Sequence, residues 1–165
     1  MHQRRRALLL AAPLALASCG FALRQAPTFG FHSIYLALPA GAGLGLELRR
    51  QLEGTGQIQV ITDAAQKARA DVVLESKGEQ RERAVVSLTA TGAVREFQLR
   101  IRFAFKVLTP AGRELLPQAE ILREIDQSYS ESAALSKEQE ALMLYQNMQS
   151  DIVQQVMRRL ATVKI

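Results

Sequence analysis

A chain of 165 residues with 48% hydrophobic and 22% charged side chains has the make-up of one ordinary globular domain. Its single cysteine excludes a disulfide scaffold, and its apolar content excludes disorder and collagen-like repeats. No apolar run reaches the ~20 residues needed to cross a bilayer as a helix. The formal net charge of +5 leans on three arginines among the first six residues, so it is a poor guide to what the folded domain binds.

Those arginines, Arg4, Arg5 and Arg6, precede an eleven-residue apolar run over 7–17, interrupted only by Pro13. Small residues and Cys19 follow. A charged start, a short apolar stretch and a small-residue cleavage zone make an export signal. Two cleavage readings compete. Ala15-Leu16-Ala17 fits ordinary secretion and would leave Cys19 as a free thiol. Leu16-Ala17-Ser18-Cys19 looks like a lipobox, with Cys19 as the lipidated first residue of the mature chain. An unpaired thiol is a liability in an oxidising compartment, whereas a lone cysteine directly behind the apolar run is what lipidation requires. The lipobox is therefore the preferred reading, with residues 1–18 as signal peptide and 19–165 as a single domain. Gly20 rather than Asp at the second mature position resembles outer-membrane lipoproteins. One acyl chain binds a membrane only marginally, but lipoproteins of this type carry three, so the expected attachment is durable without spanning.

Removal of 1–18 leaves 18 basic and 16 acidic residues, a net of +2. The main support for a nucleic-acid partner disappears with the signal. What charge remains is uneven, because residues 77–109 carry seven basic and three acidic side chains while 110–165 carry six and eight.

The expected elements run β-α-β-β-β-β-α. Residues 25–28 read as a tether. Ile34, Leu36 and Leu38 alternate in a first strand over 33–38. Leu44, Leu48 and Leu52 recur every four residues with charges between them, which predicts a short amphipathic helix stopped by Gly54. A short strand over 58–61 precedes a connection over 62–70 with room for one helical turn. Val72 and Leu74 share a face of a strand over 71–77, and 83–88 extends it after a break near Gly78. The clearest segment is 96–108. There Phe97, Leu99, Ile101, Phe103, Phe105 and Val107 lie on one face, with Glu96, Gln98, Arg100, Arg102 and Lys106 on the other. Thr91-Gly92 suits a hairpin turn before it, and the Pro and Gly of 109–112 suit another after it. A further strand is expected over 119–129. Ser136 and Gln139 fit a capping box at the start of a long helix, whose apolar stripe is Tyr145, Met148, Ile152, Val156 and Leu160. The expected fold class is α+β, a two-layer sandwich in which a mostly antiparallel sheet of four to five strands packs against two helices.

Chemistry is sparse. His32 is the one histidine of the mature chain, too little for a metal site or a Ser-His pair. The glycines of 41–45 lack the residues of a phosphate loop. Glu79 and Glu82 read as solvated loop residues, and Glu124 and Asp126 share a strand face with no visible partner. No catalytic residue, no metal site and no cofactor beyond the covalent lipid on Cys19 are expected, and the chain does not read as an enzyme.

A lipobox followed by Cys19-Gly20-Phe21-Ala22-Leu23-Arg24 resembles the mature start of the LptE family of lipopolysaccharide-assembly lipoproteins. The likeness continues in order through Ser87, Gly92, Glu96, Phe97 and Leu99. It then takes in Pro110 and Gly112, Arg123 and Tyr129, Lys137 and Glu140, and the ending Arg158-Arg159-Leu160. At the hairpin tip, Ala90 or Thr91 stands where some members carry a basic residue. The resemblance implies a lipid-anchored protein on the periplasmic side of the outer membrane, inside a large β-barrel partner, LptD. There it would assist assembly of the barrel, plug its lumen and help deliver lipopolysaccharide to the outer leaflet. Barrel lumens are polar, so a polar sheet face agrees with that role. Gln98, Arg100, Arg102 and Lys106 on that face are candidate contacts for such a lumen, and Arg100, Arg102 and Lys106 are candidate lipopolysaccharide contacts through charge-assisted hydrogen bonds to phosphate. So is Lys137, through its match to a family loop position. The alternative is a free-standing lipoprotein that binds a ligand without a barrel.

Replacement of Cys19 by Ser is expected to abolish incorporation of labelled palmitate into the protein. Continued labelling would refute the anchor.

Overall fold

The computed structural model describes residues 27–39, 41 and 43–165. The expected signal peptide and Cys19 lie outside the described residues. Within them the chain runs β1 (Ser33–Ala37), α1 (Gly43–Gly54), β2 (Gln59–Ile61), β3 (Val72–Leu88), β4 (Val94–Leu108), β5 (Glu114–Ser128) and α2 (Ala134–Leu160). Short 3-10 turns at Ala64–Arg69 and Glu131–Ala133 link the elements.

One five-stranded sheet has the order β2-β1-β3-β4-β5. Its long half, β3-β4-β5, is an antiparallel meander, and β1 pairs parallel with both β2 and β3. The sheet is therefore mixed: the two long ladders are antiparallel and the two short ones parallel. Both helices cover one face; on the other, Ile61, Ala70 and Val73 are buried where β1, β2 and the start of β3 meet, and the surface over β4, β5 and the rest of β3 is open. The α+β two-layer arrangement is the one the sequence predicts.

β4 anchors the core. Leu99, Ile101, Phe103, Phe105 and Val107 are all at most 1% exposed, as their period of two demands. They meet Leu44, Leu48 and Leu52 of α1 and Met148, Ile152, Val156 and Leu160 of α2 in one cluster that also takes in Phe31, Ile34, Val72 and Leu74. Each fully buried side chain of this size contributes about 1.5–3 kcal/mol of transfer free energy.

Three expectations need correction. First, β3 does not break near Gly78 but passes through a bulge. Ser76 pairs with Phe105 and Glu79 with Phe103, so β3 spends one residue more than β4 across this interval. Gly78 supplies the backbone conformation, with φ of +96°, and Pro39 lies so close that an added Cβ would sit 3.2 Å from its Cγ. The Ser76 hydroxyl bridges the irregularity by donating to Ala104 O at 2.6 Å and accepting from Gly78 N at 3.0 Å. Second, β5 starts at Glu114 rather than 119. Third, Ser136 does not cap the last helix. The helix starts at Ala134, directly out of the 3-10 turn, and Ser136 Oγ instead donates to Ala133 O at 2.9 Å. That turn makes a side-chain cap unnecessary at the first position, because Glu131 O already accepts from Ala134 N.

The parallel half is fastened by Asp71. Its Oδ2 accepts from His32 N at 2.8 Å and Ser33 N at 2.9 Å, and Asp71 N in turn donates to Ser33 Oγ at 2.9 Å. These backbone donors, His32 first, hold the Asp71 carboxyl below the usual carboxylate range. The folded state thus prefers the ionised form, and unfolding at low pH takes up a proton. Asp71→Asn is expected to cost about 1–3 kcal/mol at neutral pH, the range for hydrogen bonds to a charged acceptor. In paired urea titrations the difference from wild type should be full above pH ~4 and shrink as pH falls through the lowered folded value. A pH-independent difference would assign the effect to packing.

Candidate functional site: the open face of the sheet

Because the helices cover one face only, the residues of β3, β4 and β5 that alternate with the core point outward. On β4 these are Glu96, Gln98, Arg100, Arg102, Ala104 and Lys106, and the cations predicted from the sequence stand in one row. The neighbouring strands put acids beside them. Arg100 Nε lies 3.0 Å from Glu124 Oε1 of β5, and its Nη1 lies 4.0 Å from Glu82 Oε2 of β3. Arg102 Nη1 is 3.4 Å from Glu120 Oε1, and Lys106 Nζ is 3.2 Å from Glu75 Oε2. Gln98 joins the row by donating to Asp126 Oδ1 at 2.9 Å and accepting from Arg100. The Lys106 hydrogen bond, with Lys67 behind it, lowers the Glu75 pKa. The open face therefore has a basic central strand between acidic flanks. Glu124 and Asp126 have the partners that the sequence did not reveal. An open depression of about 630 Å³ lies over the bulge, where Lys77, Gln80, Arg102 and Lys106 meet Glu75 and Glu120.

Lys137 is not part of this row. It lies in the first turn of α2, where Nζ donates to Glu140 Oε2 at 2.8 Å and to Ser128 Oγ at 3.1 Å. The Lys137 ammonium draws the Glu140 pKa down. Beside it, Gln127 is 1% exposed and donates to Lys137 O at 2.7 Å, while its Oε1 has no partner. The structure thus brings three of the predicted cations together and leaves the fourth at the junction of β5 and α2. His32 is exposed at the edge of β1 and contributes only its backbone N–H to Asp71. Among the described residues, no three His, Cys, Asp or Glu side chains are arranged to hold a metal ion.

A polar cluster on the helix side escaped the sequence reading. The bulge reverses which residues of β3 face inward, so Glu79, Arg81 and Arg83 point toward α2. Glu79 is not a solvated loop residue: its side chain is 12% exposed, pairs with Arg81 at 2.7 Å and accepts from Gln149 Nε2 at 3.0 Å. The Arg83 guanidinium carbon sits 3.8 Å from the Phe97 ring centroid and 5.8 Å from that of Tyr129, with Nη1 at 2.6 Å from Glu138 Oε1. Tyr145 OH donates to Glu82 O at 2.8 Å beneath Arg81, and burial raises its pKa. Charges at alternate positions after Gly78 were the available signal, but only the extra residue at the bulge tells which face they take.

The fold is that of known lipoproteins. It superimposes on the solution structure of an uncharacterized lipoprotein B from Nitrosomonas europaea with a TM-score of 0.73, at 31% sequence identity over 86% of this chain and 90% of that one. The rare lipoprotein B from Shewanella oneidensis follows with a TM-score of 0.66 at 25% identity, over 79% of this chain and 95% of that one. The sequence carries the likeness further. The LptE family model, described as lipopolysaccharide-assembly, matches residues 31–160. The LPS-assembly lipoproteins LptE of Yersinia pestis (strain Pestoides F) and Yersinia pseudotuberculosis (serotype O:1b, strain IP 31758) are each 32% identical over 168 aligned positions. These cover 99% of this chain and 78% of each relative. The chain belongs to the LptE family.

The Arg83 cluster generates a test. Arg83→Ala is expected to lower stability by about 1–2 kcal/mol, because it removes a cation held over an aromatic ring as well as an ion pair. Glu138→Gln should cost well under 1 kcal/mol, since that carboxylate is 54% exposed. Chemical denaturation of both variants at low and high salt separates the terms: salt should erase the Glu138 effect and leave most of the Arg83 effect. Equal losses in the two variants would contradict this division.

Proposed function

We propose that the protein is an outer-membrane lipoprotein, anchored through lipid on Cys19, that works beside the lipopolysaccharide-translocating β-barrel LptD. In this reading it assists assembly of the barrel, sits in its lumen as a plug, and helps deliver lipopolysaccharide to the outer leaflet. The observation that carries the reading is membership of the LptE family over 31–160. The lipobox ending at Cys19 supports the anchor. The open face supports the plug, because a surface of paired charges and amides suits a polar lumen better than an apolar one.

Lipopolysaccharide carries phosphate, and Arg100, Arg102, Lys106 and Lys137 are the proposed contacts. Each has a carboxylate neighbour, so a phosphate would exchange one anionic partner for another with more acceptor oxygens. The protein's part is then to bind and position, with no bond made or broken and no cofactor.

Pull-down of the native protein from solubilised outer membranes is expected to bring an integral β-barrel with it, identified by mass. Recovery as a lone monomer with a bound ligand would favour a free-standing binding lipoprotein. The combined Arg100→Glu, Arg102→Glu and Lys106→Glu change is expected to weaken lipopolysaccharide binding, measured directly on the purified protein. Unchanged binding with the fold intact would remove these three residues from the contact set.

A further inference from the structure

The two edges of the sheet are unlike. β2 ends one side with three residues, whereas β5 ends the other with fifteen. Every second residue of an antiparallel edge strand turns its N–H and C=O away from the sheet. Pro117 interrupts the row of β5, and from 118 to 128 it is continuous, a free edge of about 36 Å at ~3.3 Å per residue.

The charges along this edge are ordered strand by strand. On the open face β3 presents Glu75 and Glu82, β4 presents Arg100, Arg102 and Lys106, and β5 presents Glu120, Glu124 and Asp126. Alongside Glu120 to Asp126 the sign alternates from strand to strand; Glu96 of β4, opposite Ser128, lies beyond that stretch. Arg100 has an acid on both sides, Glu82 and Glu124. Glu120, Glu124 and Asp126 have a partner on the β4 side only, and their other flank faces the space a sixth strand would fill. All three are exposed, and β5 as a whole carries four acids against one base, Arg123. Opposite charges on adjacent strands stabilise a pairing and like charges oppose it.

We propose that the β5 edge over 118–128 is a docking site for an extended segment of another polypeptide. That segment carries Lys or Arg at alternate positions and adds as a sixth strand. Backbone hydrogen bonds supply the attachment, and the acid row selects for basic side chains on the open face. A second copy of this chain does not fit, since two β5 edges would set acid rows beside each other. Residues 20–26 of this chain do not fit either: their one basic residue is Arg24, and Pro27 leads into β1, with β3 and β4 between it and β5. The site is independent of lipopolysaccharide binding and of the barrel reading.

The probe is a synthetic eleven-residue peptide alternating Arg and Thr, with a Glu-Thr counterpart as control. It is added to the full acylated chain in detergent micelles, with binding followed by fluorescence anisotropy and by hydrogen–deuterium exchange. The Arg peptide is expected to slow exchange of amides within 118–128, and the Glu peptide to leave them unchanged. Glu120→Gln, Glu124→Gln and Asp126→Asn together should weaken binding at least tenfold. Glu124→Gln alone, a milder change should the triple variant not fold, should weaken it measurably. Four results would overturn the proposal: no protection, protection confined to residues outside 118–128, equal protection by the acidic peptide, or protection that rises with protein concentration without peptide. Because the assay contains neither the barrel nor lipopolysaccharide, failure here leaves the lipopolysaccharide reading standing, and failure to recover a barrel leaves this one standing.

Discussion

Everything in this fold leans on the strict alternation of β4. One strand supplies Leu99, Ile101, Phe103, Phe105 and Val107 to the core and Arg100, Arg102 and Lys106 to the opposite face. A slip of one residue would bury three cations and expose five large apolar side chains, so the register of the whole meander is fixed by hydrophobic burial at this strand. The two helices answer the same demand from above. α1 brings three leucines and α2 a stripe of Met148, Ile152, Val156 and Leu160, and both pack on the face that β4 makes apolar.

The bulge at Lys77–Gly78 is the second determinant. Before it, Val72 and Leu74 face the core. After it, the inward positions are Glu79, Arg81 and Arg83, which find polar and aromatic partners on α2, β4 and just beyond β5 in place of apolar ones. One inserted residue thus divides the sheet along its length. The half near β1 is held by close packing, and the half near the hairpin is held by a guanidinium over Phe97 and by hydrogen bonds to α2. Without the bulge, the residues after it would take the opposite faces and neither set would have its partner.

Much of this was legible in the sequence, and for a physical reason. Period-two patterning in 96–108 and the leucine spacing in α1 reflect burial against a single surface, which leaves a direct trace in residue order. The stripe of α2 was legible for the same reason. What was not legible depends on partners distant along the chain. The parallel pairing of β1 with β2 and β3 leaves no local mark. A bulge looks the same as a break when only the glycine is seen. Ser136 had the right chemistry for a cap, but the 3-10 turn ahead of it had already begun the helix. Lys137 was found through its match to a family position, and the three candidate cations of β4 because alternation exposes them. Their acidic neighbours were invisible until the registers of β3 and β5 were known, and Arg83 was missed because its face is set by the bulge.

The two halves of the sheet also differ in how far apart their partners lie along the chain. β3, β4 and β5 are joined by five-residue turns of one design, in which Thr89 and Thr109 each accept from the backbone four residues on and Gly92 and Gly112 take positive φ. Those strands can zip together from their turns with little loss of chain entropy. β1 must wait for β3, since Ile34 meets Val72 only after the 37 intervening positions have been closed into a loop. The meander is accordingly the natural nucleus of folding, and the Asp71 fastening is the latch that records its completion.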